Sequence, residues 1–421
     1  MKIGIGKTEI TPPLGIEMVG YYYKRNADGI HDRLYARAIV FDDGKNKAAI
    51  VSCDICGFDK STILLLKDKL SKSNILPFEN IIICATHTHT GPVITSEYES
   101  YLVGKILESV KEAYENLFEA TLSYGSAHVE GVAFNRRYFM KDGTVVTNPG
   151  KCNPDIVKPA GPAPTEVPFI RIDKNKSNES YIFVNVSLHP DTIAGNLISA
   201  DYPYYIEKEI KGNIPDVKEI ICTNGTSGNI NHWDVKNPDP QRGFHEAERI
   251  GRTIGSEIVS KFDKTLSISQ PLIKIGREKA RLPYVKVSKE EVAKAKEVLK
   301  KPYPDGVDFT MEVVEAKKVV KASKITNDFN EIEIAAISIG DLAFIGMPAE
   351  LFVELGMEIK NLSPFKNTVT IGLAYGSVGY IPTEKAYEEG GYEAVANMYK
   401  SGVGRIILEV TLKLLKSINS S

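Results

Sequence analysis

The chain has 421 residues, enough to bury a large core without disulfide or metal staples. Lys and Arg total 52 against 54 Asp and Glu, for a formal charge of −2, so no single-sign field marks nucleic acid or an anionic membrane as a partner. Five cysteines, an odd number set mostly inside apolar runs, fit buried thiols in a reducing compartment better than a disulfide framework.

The opening MKIGIGKTEITPP alternates like a strand and turns at its prolines, with no apolar leader region or cleavage site, so a cytoplasmic protein is expected. No stretch approaches ~18 uninterrupted apolar residues, and no spanning helix is expected. Period-two patterns place strands at Ile3–Ile10, Tyr35–Asp42, Ala48–Cys53, Ile81–Thr86, Ala120–His128, Ile182–Leu188, Glu219–Thr223, Leu272–Ile275, Glu331–Ile339, Leu342–Met347 and Val369–Leu373. Asp43-Gly44 and Gly340-Asp341 are tight-turn pairs that predict two hairpins. Helical patterns interleave at Lys60–Lys72, Glu97–Glu115, Tyr204–Lys211, Glu246–Phe262, Lys289–Leu299, Met311–Ser323, Glu350–Lys360 and Arg405–Leu415. Hairpins mixed with crossover helices predict an α/β (α+β) fold of mixed sheets flanked by helices, one catalytic domain over residues 1–421. The Lys- and Glu-rich stretch Ser288–Ser323, with KKPYPDG in its middle, reads as a solvated helical insertion or lid. The prolines from Pro159 to Pro168 make a rigid loop rather than a linker, because strand-like FIRID follows at once.

Of seven histidines, His87 and His89 stand two apart in IIICATHTHTGPV, where a β-branched run meets Gly91-Pro92. If strand geometry persists, both imidazoles enter the same space, the start of a metal or catalytic site. His189 closes another apolar run, VNVSLHPDT. Glu350 in MPAELF falls at the first turn of an expected helix, where it either complements the dipole or serves as a carboxylate ligand beside two histidines. CTNGTSGNINHWD, with Ser227 and Asn231, offers amides and backbone N–H groups suited to a carbonyl or oxyanion, or is a structural turn. It matches neither a phosphate loop nor a serine-hydrolase elbow. His232 and Trp233 read as rim or packing, and Tyr375, Tyr380 and Tyr392 as half-buried tyrosines with wet hydroxyls, one of which could be a ligand or an acid. Cys53-Asp54-Ile55-Cys56 lacks the second Cys pair of a zinc knuckle, and His31 reads as a hydrogen-bonding residue.

Taken in order, GIHDRLYARA, ATHTHTGP, FNRR, LHPDT, SADYP, the Gly/Asn-rich loop, MPAE, GYIPT and GYEA resemble the successive landmarks of the neutral/alkaline ceramidase family, in its N-terminal catalytic domain, from Gly6 to about Tyr399. The resemblance implies one Zn2+ per chain held by His87, His189, Glu350 and Tyr380. It further implies that His89, Arg136 and Tyr392 line the metal and the scissile amide, which a metal-activated water would attack. His89 would take or relay the proton, Arg136 or Tyr392 would steady the oxyanion, and Tyr392 would protonate the leaving amine.

Two departures bear on substrate. The family's G-D-V-S-P-N is here Gly228-Asn229-Ile230-Asn231-His232, with Asn231 in place of a serine, and neither a secretion signal nor a C-terminal β-sandwich is expected from this chain. The readings are therefore a zinc amidohydrolase acting on a lipid-like N-acyl substrate, a zinc esterase or deacylase acting on a smaller polar or carbohydrate-linked molecule, and a non-catalytic binding module.

Overall fold

The structure is a computed structural model that describes residues 1–301 and 310–420. Its largest element is a nine-stranded mixed sheet. The strands are β1 (Lys2–Glu9), β2 (Tyr35–Asp42), β3 (Lys47–Cys53), β4 (Ile81–Ala85), β5 (Phe118–His128), β6 (Glu166–Lys174), β7 (Ser180–Val186), β8 (Val217–Asn224) and the short β9 (Leu266–Ser267). Spatial order is β8-β7-β6-β5-β1-β2-β3-β4, with β9 beside β5. The Asp43-Gly44 turn joins β2 and β3 as expected, antiparallel from Ala36 opposite Cys53 to Asp42 opposite Lys47. Strands β3 and β4, and β7 and β8, run parallel. The sheet curls until β8 returns beside β3, where the Ser52 hydroxyl donates to the Cys222 carbonyl.

A second sheet orders β10 (Ile273–Pro283), β11 (Phe329–Ile339), β12 (Leu342–Gly346) and β14 (Asn367–Ile371), and the Gly340-Asp341 turn makes the second hairpin. Between β12 and β14 in the chain lies the two-residue β13 (Glu350–Leu351), which pairs in parallel with β15 (Tyr380–Ile381). Ile3, Ile39, Phe41, Ile50 and Phe183 of the large sheet pack on Ile337, Phe344, Val369 and Ile371 of the small one. Strand β2 is buried on both faces, which is why its sequence is an apolar run rather than an alternation.

Helices cover the outer faces. On the large sheet these are α1 (Lys60–Ser73), α2 (Ser96–Glu115), α3 (Tyr202–Asn213) and α4 (Phe244–Lys261), and on the small one α7 (Val353–Leu362) and α10 (Val403–Ser420). Helix α2 lies directly on β1, where a Cβ at Gly4 or Gly6 would come within 1.7 Å or 2.0 Å of the carbonyl oxygen of Ala113 or Ser109. The charged stretch forms α5 (Lys289–Val298), opened by a Ser288/Glu291 capping box, and α6 (Met311–Ala322), joined by a small core of Ala295, Ala316 and Val319. The part of the expected KKPYPDG turn from Pro302 onward lies outside the described residues. Two short helices, α8 (Glu384–Glu389) and α9 (Tyr392–Ala396), were not legible as helical periods. No helix among the described residues is long and apolar enough to cross a membrane.

The parallel strands β3, β4, β7, β8, β12 and β14 release their chains into loops at their carboxyl ends, where open α/β sheets form binding crevices. His87, His189, Ser227, Glu350 and Tyr380 all sit on those exits.

Candidate metal centre

Strand β4 ends at Ala85, and the His87 backbone is left-handed, with φ of 75°. Strand alternation therefore does not run through His87 to His89, contrary to the geometric expectation. The turn itself joins the two rings, with centroids 4.8 Å apart at 87° and Nε2 atoms 3.4 Å apart.

Backbone carbonyls fix the tautomers of the other pair. His87 Nδ1 lies 2.6 Å from the Cys56 carbonyl oxygen, and His189 Nδ1 lies 2.9 Å and 3.0 Å from those of Ser227 and Ile230. A carbonyl only accepts, so both Nδ1 atoms carry the proton, and each neutral ring has its lone pair on Nε2. Those lone pairs face one carboxylate oxygen: Glu350 Oε2 is 3.5 Å from His87 Nε2 and 3.1 Å from His189 Nε2.

Three acceptors turned toward one point require positive charge between them. A tetrahedral cation with ligand bonds near 2.05 Å holds its ligands ~3.3 Å apart, close to these spacings, and two imidazoles with a carboxylate are zinc's usual donors. Without a metal, a proton on His87 must serve. Burial opposes it, but Cys56 and Glu350 outweigh burial and raise His87 well above its ordinary value. Burial would raise Glu350, yet His87 and His189 hold it well below the carboxylate range. His189 and His89 stay neutral, chiefly through burial, His89 being pushed down to about 3.

His87 also belongs to a second cluster, with Cys56 and His89. There the Cys56 sulfur approaches His87 Nδ1, at 3.6 Å, the nitrogen already given to the Cys56 carbonyl. The His87, His189 and Glu350 set is the better cation site.

Glu350 is not in a helix. It lies in β13, and the helix expected from there starts only at Val353, because pairing with β15 holds Glu350 and Leu351 extended. That pairing makes Glu350 and Tyr380 register partners. The Gly/Asn loop locks β13 from behind: a Cβ on Gly228 would come within 2.3 Å of the Glu350 carbonyl, and the Asn229 side chain caps α7 by accepting from Val353 N–H at 2.9 Å.

The Tyr380 ring stacks near His189 at 6.4 Å, with the Arg136 guanidinium carbon 5.2 Å from its centroid. Arg136 donates to Glu393 Oε1 and to the Gly228 carbonyl, each at 2.7 Å. Tyr392 shares a 2.8 Å hydroxyl contact with Tyr22. Burial above all keeps both Tyr380 and Tyr392 protonated, with Glu350 reinforcing it at Tyr380 and Tyr380 reinforcing it at Tyr392.

The structure thus gathers His87, His89, His189, Glu350, Arg136, Tyr380 and Tyr392 at one place. The Ser227 hydroxyl and the Asn231 amide spend their bonds within the fold, on Asn224 at 2.9 Å and Asn148 at 2.8 Å. Tyr375 bonds the Ile81 carbonyl and stands apart from this group, as does His31, which pairs with Asp32.

Four participants escaped the sequence reading. Cys56 supplies the carbonyl behind His87, Glu393 neutralises Arg136, Tyr22 meets Tyr392, and Asp191 pairs with buried His232 at 3.2 Å. Glu393 could have been found by its place next to Tyr392 in GYEA, and Asp191 by its place two residues after His189.

Comparison with protein families matches residues 1–142 to the neutral/alkaline non-lysosomal ceramidases, N-terminal part. Neutral ceramidase of Drosophila melanogaster is 26% identical over 193 residues, covering 41% of this chain and 27% of that protein. Neutral ceramidase of Pseudomonas aeruginosa is 28% identical over 155 residues, 32% of this chain and 23% of that protein. The match thus spans about a quarter of these relatives' length. The fold superposes on the crystal structure of neutral ceramidase from Pseudomonas aeruginosa with a TM-score of 0.77 at 16% identity, over 99% of this chain and 75% of that one. For a ceramidase complexed with C2 the TM-score is 0.73 at 16% identity, over 100% and 75%.

Proposed function

We propose that this chain, whose residues 1–142 match the neutral/alkaline ceramidase family and whose fold superposes on neutral ceramidase, is a zinc-dependent hydrolase that cleaves the amide bond of an N-acyl substrate. The observation that carries this reading is the convergence of two imidazole lone pairs and one carboxylate oxygen at 3.1–3.5 Å, with no donor of their own beyond a single proton. His87, His189 and Glu350 would hold one zinc, with Tyr380 beside Glu350 as the further ligand. Bound zinc supplies Lewis acidity and brings the deprotonation of water toward neutral pH.

The remaining roles belong to side chains around it. Neutral His89 receives a proton at Nε2, beside the cluster. Arg136, held on two sides by Glu393 and Gly228, is oriented to offer a guanidinium N–H to an oxyanion without reorganising. The Tyr392 hydroxyl, protonated and in contact with Tyr22, donates to the leaving amine. Ser227 and Asn231 shape the wall behind the metal.

Elemental analysis of wild type and of His87→Ala/His189→Ala, followed by hydrolysis of short- and long-chain N-acyl substrates, tests the reading. One zinc per chain that the double variant loses, together with amide hydrolysis, is the expected result. Metal-free wild type after chelator-free purification would favour a binding module instead.

A further inference from the structure

His232 is wholly buried, and each of its ring nitrogens meets one oxygen. Nε2 lies 2.7 Å from the Gln241 carbonyl oxygen, and Nδ1 lies 3.2 Å from Asp191 Oδ1. A carbonyl only accepts, so Nε2 carries a proton. A neutral ring would then turn its Nδ1 lone pair on a carboxylate oxygen, and among the described residues neither of these two buried atoms has another partner. The ring therefore carries a second proton and forms a buried ion pair with Asp191. Burial opposes that charge, but Asp191 outweighs it and raises His232 above its ordinary value.

Gln241 makes the support behind that ring rigid. Its buried side chain accepts from the Asp234 N–H at 2.7 Å and donates to the carbonyls of Asp234 and Asn237, each at 3.0 Å. The ion pair in turn joins the two segments that position the metal ligands. Asp191 follows His189 by two residues, and between them the Pro190 carbonyl accepts the His89 backbone N–H at 3.0 Å. His232 follows Ile230 by two residues, and the Ile230 carbonyl, with that of Ser227, holds His189 Nδ1. These links close a ring: His189 to Ile230 by hydrogen bond, Ile230 to His232 along the chain, His232 to Asp191 by charge, and Asp191 back to His189 along the chain. If either segment slid, the hydrogen bonds behind His189 would be lost, and the ion pair opposes that sliding.

We propose that Asp191 and His232 are positioning residues of the metal centre, an ion pair that locks the His189 segment to its anchoring loop so that this ligand is in place before the cation arrives. They act through His189, and neither belongs to the groups of side chains that could hold the ion. This role deepens the zinc reading and rests on it for the identity of the ion.

The test measures the zinc affinity of the full-length chain by chelator competition in wild type, Asp191→Ala and Asp191→Asn. Asp191→Ala removes the link and is expected to weaken zinc binding by about tenfold or more, the scale of loss for groups behind metal ligands. Asp191→Asn keeps a link, because its amide N–H can donate to Nδ1 of a neutral His232, and is expected to stay within about threefold of wild type. A zinc constant unchanged in Asp191→Ala, with only the melting temperature of the metal-free chain lowered, overturns the role, since the pair would then stabilise the fold without placing a ligand. Equal losses in the two variants overturn it too, since charge and not position would be at work. Nitrogen-15 NMR of wild type at about pH 8, above the ordinary histidine value of about 6.5, gives a reading that needs no variant to fold. Protons on both His232 ring nitrogens are expected, and a single one overturns the ion pair. A wild type that binds no zinc sinks the zinc reading alone. The pair is then read from the same spectra at His189, whose Nδ1–H tautomer should be fixed in wild type and Asp191→Asn and mixed in Asp191→Ala; a tautomer still fixed in Asp191→Ala overturns it.

Discussion

Around Arg37, three cations and three carboxylates are matched donor to acceptor, whereas around Glu350 acceptors face acceptors. Arg37 gives Nε to Glu219 and its two terminal nitrogens to Asp54 and Glu207, at 2.9, 2.6 and 2.9 Å. Lys7 and Lys211 each bridge Glu207 and Glu219. That cluster closes on itself and ties β1, β2, β8 and α3 together, so nothing remains for a ligand to satisfy. At Glu350 the carbonyls behind His87 and His189 consume the donors and leave the lone pairs pointing inward. Buried charge alone therefore does not mark a site; the direction of the unfilled valence does.

Glu350→Gln breaks the unsaturated cluster most directly. Gln keeps the shape but carries an amide N–H that can serve His189 Nε2. Zinc should fall far below one per chain, hydrolysis should drop by ~10³-fold or more, and the metal-free melting temperature should hold or rise. Full zinc occupancy with a wild-type rate would remove Glu350 from the site. Arg37→Ala makes the opposite break. It leaves buried Asp54 without a cation and takes one of three cations from each of Glu207 and Glu219, and should cost about 3–5 kcal/mol in urea unfolding, while zinc per folded chain stays at the wild-type ratio. A loss under ~1 kcal/mol would show that the charge matching is incidental.

The same contrast explains what could be read in the sequence. Long strands and both hairpins were legible because their burial imposes local patterns: β2 matches its expected range from Tyr35 to Asp42, and Asp43-Gly44 carries its own turn chemistry. Residues 350–360 misled because ELFVELGMEIK has helical periodicity, while the pairing that extends Glu350 comes from Tyr380, thirty positions away by sequence and one hydrogen-bonded rung away in space. The left-handed turn at His87 has no decisive local signature either, since no glycine marks it and non-glycine residues as a whole are uncommon there. The anchoring carbonyls of Cys56, Ser227 and Ile230 are backbone atoms, silent in side-chain identity. The side-chain types that meet at Glu350 were thus visible in the residue alphabet, and the orientation of their lone pairs only in the fold.

Tyr392→Phe probes the hydroxyl next to the centre without touching its ligands. If that hydroxyl protonates the leaving amine, kcat should fall ~10²-fold with zinc content intact, and His89→Ala should do the same for proton acceptance. Tyr22→Phe, which removes one hydrogen bond to Tyr392, should cost only about fivefold. Rates within twofold of wild type in the first two variants would reassign both residues to packing.

The smallest effect is a pH dependence that separates the clusters. Burial alone would raise the Glu207 carboxyl, but Arg37, Lys7 and Lys211 outweigh it and hold it well below its ordinary value. A carboxyl depressed in the folded state binds its proton more readily when unfolded. Its stabilisation is therefore complete above the unfolded value of about 4.3 and is lost as pH falls toward the lower folded value. Wild type should lose stability between about pH 5 and pH 3 on this account. In Arg37→Ala the strongest cation holding Glu207 is gone and only Lys7 and Lys211 remain, so its carboxyl moves part of the way back up and its protonation gives up less stabilisation while easing repulsion among the three acids. The gap in urea midpoint between wild type and Arg37→Ala should consequently narrow from about pH 7 to about pH 3.5. A gap that stays constant would mean that Arg37 stabilises by packing its stem rather than by its charge.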